Sequence, residues 1–197
     1  MLRILRLVTI LPTLALCACA IDPYVYGSKV ASVGDWKIER QEDRVTGRPV
    51  SSAYVLTRWG SSNSTVVPQT ISLQLMCFVG KPVIRFAFQA KVGSNVNSYL
   101  GYRFDAKPGH EIGARFVKDS PTVVIEDPAE VAQFVNELAT SKSLYIRLRS
   151  LTAQRNSAEF NVEGAPAAIE SALAGFPVTA PGEMPRQATP TPTRRNV

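Results

Sequence analysis

Apolar side chains recur at every second residue in one short segment after another of this 197-residue chain, the period that puts them on one face of a strand. Trp36 and Ile38 alternate with Lys37, Glu39 and Arg40, which predicts a strand over 35–40 with one wet face. A turn region, QEDRVTGRPVSS, separates it from a second strand over 53–59. GSSNSTVVP reads as a loop, because Gly, Ser, Asn and Pro favour local turns over ladder hydrogen bonds. Two strands follow over 69–79 and 82–90, joined as a hairpin at Gly80-Lys81. In the first, Ile71, Leu73, Leu75 and Val79 share a face with Cys77; in the second, Ile84, Phe86 and Phe88 point inward while Arg85 and Gln89 point outward.

A further strand covers 99–105, KPGHEIG is a turn, and short strands fall in ARFVK and TVVI. The period then changes. Asp127-Pro128-Ala129-Glu130 has the form of a helix start, with a capping carboxylate, Pro at the first helical position and an acid in the first turn. Val131, Phe134, Val135 and Leu138 continue as one helical stripe. SLYIRLRS returns to alternation, with Leu144, Ile146 and Leu148 set against Tyr145, Arg147 and Arg149, and AEFNVEG supplies one more strand. A short Ala-rich helix over 166–173 stops at Gly175. The pattern predicts one α+β domain over 35–176: a mainly antiparallel sheet, bent into two layers, with two helices near its C-terminal end. Residues 19–34 read as a tether and 177–197 as an unpacked, Pro-rich basic tail.

The first residues follow neither period. Arg3 and Arg6 precede an apolar run from Leu7 to Leu16, interrupted only by Thr9, Pro12 and Thr13. A transmembrane helix needs ~20 apolar residues, so this run is too short to span and has the form of an export signal, residues 1–18. Leu16-Cys17-Ala18-Cys19 resembles the bacterial lipobox, in which cleavage precedes a cysteine that receives diacylglycerol. Cys19 fits it, whereas Cys17 follows the bulky Leu16. The alternative is a cut after Ala20, giving a soluble periplasmic protein. Acyl chains add ~0.8 kcal/mol of membrane affinity per buried CH₂, so several together anchor durably. Ala20 beside Cys19 favours the outer membrane, facing the periplasm, because the resemblance associates retention at the inner membrane with Asp there.

The formal charge of +6 is concentrated at the ends. The leader takes Arg3 and Arg6, the tail holds Arg186, Arg194 and Arg195 against Glu183, and the body is nearly balanced, which points away from nucleic acid. After processing, Cys77 stands alone in the body and reads as a buried thiol filling core space. The single histidine, His110, lies in the KPGHE turn and reads as a solvated side chain. The sequence supplies no catalytic set, no metal-ligand set and no cofactor-binding loop. Glu126 and Asp127 fit a helix N-terminus better than acid–base work. The candidate binding residues are Arg85, Arg103, Arg147 and Arg149, with Tyr145 and Tyr102 nearby, because guanidinium forks beside phenols suit carboxylates, phosphates or a protein partner. The competing reading is a solvated face with cross-strand pairs to Glu and Asp.

In order along the chain, Trp36, the Leu73-Gln74-Leu75-Met76-Cys77 strand, Tyr102-Arg103-Phe104-Asp105, the helix before Arg147 and Arg149, and Phe160-Asn161-Val162-Glu163-Gly164 resemble the VasI-type accessory proteins of type VI secretion. The resemblance covers roughly residues 35–176. It implies an accessory role in a secretion apparatus and supplies no catalytic residue. The chain departs from that pattern where Ala174-Gly175-Phe176-Pro177 stands in place of a second cysteine, and where Ala114-Arg115-Phe116 stands in place of a tryptophan. The expectation is therefore an exported, lipid-anchored binding or assembly module that contacts a protein in the cell envelope. The alternative in a different class is an envelope hydrolase acting on cell-wall glycan.

Overall fold

The computed structural model describes residues 25–61, 69–89, 98–117, 120–150 and 156–174. Cys19, the leader and the tail from 177 lie outside the described residues. The strands are β1 (Val25–Val33), β2 (Trp36–Asp43), β3 (Pro49–Ser61), β4 (Gln69–Phe78), β5 (Lys81–Phe88), β6 (Ser98–Phe104), β7 (His110–Gly113), β8 (Arg115–Phe116), β9 (Thr122–Ile125), β10 (Ser143–Ser150) and β11 (Asn156–Asn161). The helices are α1 (Pro128–Leu138) and α2 (Ala165–Ala172). The fold is α+β, with every strand pairing among the described residues antiparallel.

The sheet runs β7-β6-β10-β11-β3-β4-β5-β9-β8, and β2, with β1 beside it, branches from β3. The fork arises because β3 is 13 residues long. One edge of it pairs Pro49 to Tyr54 with β2, and then Trp59 to Ser61 with β11. Where the partners part, Trp36 fills the gap: its indole is fully buried and its Nε1–H donates to the Val162 carbonyl at 3.3 Å. Two glycines permit the approach. A Cβ on Gly34 (φ 58°) would lie 3.0 Å from the Glu163 carbonyl oxygen, and one on Gly164 (φ 88°) would lie 3.0 Å from that of Val33. The β1–β2 turn and the β11–α2 turn therefore pack backbone to backbone, in a conformation that side chains resist.

The sheet curls around its buried face. Phe86 on β5 and Phe160 on β11 are separated by β4 and β3, which in a flat sheet would put them ~14 Å apart. Their ring centroids are 6.3 Å apart. Phe134 of α1 completes the cluster, 6.1 Å from Phe86, 4.9 Å from Phe104 and 5.2 Å from Tyr102. Burying each such ring contributes about 1.5–3 kcal/mol, so the aromatic cluster joins both arms of the sheet to the helix.

The helix α1 starts as its sequence predicts: Asp127 accepts from the amides of Ala129 and Glu130, and Val131, Phe134, Val135 and Leu138 are buried. Inward Ile84, Phe86 and Phe88 are buried too. Three readings change. Residues 25–33, read as part of a tether, form β1, whose partner β2 is itself extended to Asp43. KPGHEIG is only partly a turn, since β7 begins at His110 and pairs with β6. The β4–β5 hairpin turns on Val79-Gly80 rather than Gly80-Lys81, with φ of 49° and 73°.

Candidate functional site

Strands β6 and β10 set Tyr145 opposite Arg103, Arg147 opposite Gly101 and Arg149 opposite Tyr99. Residues directly opposite share a face. Their inward neighbours Leu144, Ile146 and Leu148 are buried, so these pairs occupy the outer surface. Gly101 leaves room on that surface, and a Cβ there would lie 3.9 Å from Arg147 Nε. Next to it, β7 places Glu111 opposite Gly101. Glu111 Oε2 is 3.5 Å from Arg147 Nη2, and its Oε1 accepts from Arg149 Nη2. The Arg149 guanidinium lies 6.0 Å from the Tyr99 ring centroid. Arg103, Tyr145 and Arg147 border a shallow cavity of about 480 Å³.

The arrangement combines both readings of the sequence. Arg147 and Arg149 form cross-strand pairs with one shared carboxylate, which leaves one net positive charge, while Arg103 is exposed with no ion pair among the described residues. Pairs this exposed contribute about 0–1 kcal/mol, so their groups can exchange partners at little cost. Arg103 and Arg147 flanking a phenol can receive a carboxylate or phosphate in a forked geometry.

Two predicted members do not join them. Arg85 is on β5, opposite Gln74 and Val124, and its Nη1 lies 3.5 Å from Gln74 Oε1. β4, β3 and β11 stand between it and β10. Tyr102 points to the opposite side of the sheet, is 3 % exposed and stacks at 4.9 Å on His110. Burial, with the negative charges of Glu137 and Glu130, pushes its phenol up to about 12.

His110 is likewise not a solvated turn residue. Its Nε2 lies 2.8 Å from Glu137 Oε1, and Gln133 Nε2 is 3.2 Å from its Nδ1. The group braces β7 against α1. Beside it, Lys107 Nζ donates to the Glu137 carbonyl at 3.1 Å and to Thr140 Oγ1 and Ser141 Oγ at 2.6 and 2.9 Å, closing the C-terminal end of α1.

The alternation did not reveal a cleft of about 1060 Å³ between α2, the β2–β3 turn and the tip of the β4–β5 hairpin. Val33, Ile38, Val50 and Cys77 line it, with Arg40 and Arg48. Cys77 shares the core face as expected but is only partly buried; its Sγ lies 3.8 Å from the Ala172 carbonyl oxygen, and desolvation pushes the thiol up. Among the described residues no group of His, Cys, Asp and Glu is placed to hold a metal ion, and no helix is long and apolar enough to cross a membrane.

An α+β fold with a mainly antiparallel, forked sheet and an exposed Arg–Tyr face is thus what the chain presents. Comparison with protein-family models, with curated proteins and with solved structures returned no match.

Proposed function

We propose that the chain is an exported envelope protein, anchored by acyl chains on Cys19 at the outer membrane and facing the periplasm. There it acts as a binding or assembly module. The observation that carries the binding part is the register that sets Arg103 and Tyr145 side by side, next to Arg147 over Gly101, on the paired strands β6 and β10. Such a platform suits an acidic segment of an envelope protein, because two forked donors and a phenol can engage neighbouring carboxylates. The resemblance to VasI-type proteins extends the proposal to an accessory of a secretion apparatus. The test is capture of envelope proteins from detergent extracts by the full chain and by a variant with Arg103→Ala, Arg147→Ala and Arg149→Ala. A partner held by the parent and lost by the variant is the expected result; equal capture would remove this face from the account.

A further inference from the structure

Strand register brings three features to one end of the sheet. β1 begins with Val25 opposite Asp43, at the base of the β2–β3 turn. β3 starts with Pro49 opposite Glu42, and its Ser52 opposite Met76 sets the Val79-Gly80 turn alongside that start. The shared cleft confirms the grouping, since Asp43, Arg48, Val79 and Gly80 all line it. Here Phe78 is 65 % exposed, Val79 83 % and Val45 78 %, with Val50 also exposed. Val79, a β-branched residue, is held at φ 49°, where L side chains are strained. Asn or Gly is the preferred residue at such a turn position. Arg40, Arg44, Arg48 and Lys81 lie around this end, against Glu42, Asp43 and Glu170.

Chain length gives this end an orientation. Only residues 20–24 separate Cys19 from β1. Fully extended, that distance is at most about 20 Å. A domain joined so closely to acyl chains turns the start of β1, and with it the Phe78-Val79 tip, towards the bilayer. Resting on the reading of Cys19 as lipidated, we propose that this end of the sheet docks on the phospholipid surface. Phe78 and Val79 enter the interfacial layer and the neighbouring arginines meet lipid phosphates. The Arg103–Arg147 face, on strands at the other arm of the sheet, stays free for a partner.

The test separates docking from anchoring. The chain from residue 19 onward, with the leader removed and Cys19→Ser, cannot be acylated, so its contact with vesicles has no acyl contribution and the position of each probe reports which part touches them. With vesicles of phosphatidylethanolamine and phosphatidylglycerol bearing brominated acyl chains, added Phe78→Trp should show fluorescence that shifts to the blue and is quenched. Tyr99→Trp, on the distant face, should show neither. An unquenched Phe78→Trp overturns docking whatever the mass of the mature N-terminus shows. In the same background Val79→Asn should lower vesicle partition about three- to tenfold, the loss expected for one exposed aliphatic side chain. Because that variant also relieves backbone strain, unfolding cannot account for the loss. Unchanged partition would overturn the role of the tip, and equal partition with and without phosphatidylglycerol would overturn that of the arginines.

Discussion

Replacing Val79 by Asn should stabilise the protein although it removes an apolar side chain. Val79 and Gly80 are the two central residues of the β4–β5 hairpin, and both have positive φ, 49° and 73°. This is the handedness of a type I′ turn, for which Asn-Gly is the preferred pair. A left-handed conformation costs an L-residue about 1–2 kcal/mol, and Asn less, because its short polar side chain bonds locally. Little is lost in exchange, since Val79 is 83 % exposed and gives up only a few tenths of a kcal/mol of burial. The net gain is about 1 kcal/mol, which for a domain of this size raises Tm by about 2–4 °C. Urea titration should show a higher midpoint with an unchanged slope. Val79→Thr, still β-branched but polar, separates strain from exposure and should leave Tm where it is. A Val79→Asn chain no more stable than the parent would refute the strain argument.

Four other substitutions or conditions test the rest of the framework. Trp36→Phe leaves the Val162 carbonyl without its indole partner and opens space at the fork, and should cost about 2–3 kcal/mol in urea unfolding. Asp105, at φ 45°, accepts from the Ser143 amide at 2.8 Å and the Lys142 amide at 3.2 Å, so Asp105→Ala should cost about 2 kcal/mol and Asp105→Asn much less, in the same assay. Glu111→Gln frees Arg147 and Arg149 from their shared carboxylate. It should raise affinity for an acidic partner severalfold by titration while changing stability by under about 1 kcal/mol. The Tyr102 phenol, pushed up to about 12 from its ordinary 10, keeps its contribution to stability in full below pH 10 and loses it as pH rises through 12. Thermal unfolding across that range should show a decline that Tyr102→Phe reduces.

The parts of the fold legible in the sequence were those where one period dominates. Ile84, Phe86 and Phe88 alternate without interruption and are buried as a set, and Asp127-Pro128 marks the start of α1 to the residue. β1 is not legible because VYGSKVASV has no sustained alternation; its place comes from pairing with β2 and from Gly34 lying against Glu163, a contact across more than a hundred residues of chain. The binding face divided in the same way. Arg147, Arg149 and Tyr145 sit on one strand, so their common side follows from the period of two, and Arg103 joins them only through the β6–β10 register. Arg85 has the same outward parity and lies elsewhere, since parity fixes a side chain's face and leaves strand order open. Tyr102 neighbours Arg103 in sequence and therefore points the other way, into the core with His110.

Exposed Phe78 and Val79, the short stretch of sequence between Cys19 and β1, and the exposed Arg103–Arg147 platform fit the proposed arrangement, in which the domain is fastened at one end and binds through the other arm. That arrangement stands or falls with the anchor. Intact-mass analysis of the mature protein extracted from cell envelopes tests it most directly. The account predicts a chain starting at Cys19 and heavier than its amino-acid sequence by diacylglycerol and any further acyl group. An unmodified chain starting at Ile21, or one retaining Met1, would contradict it.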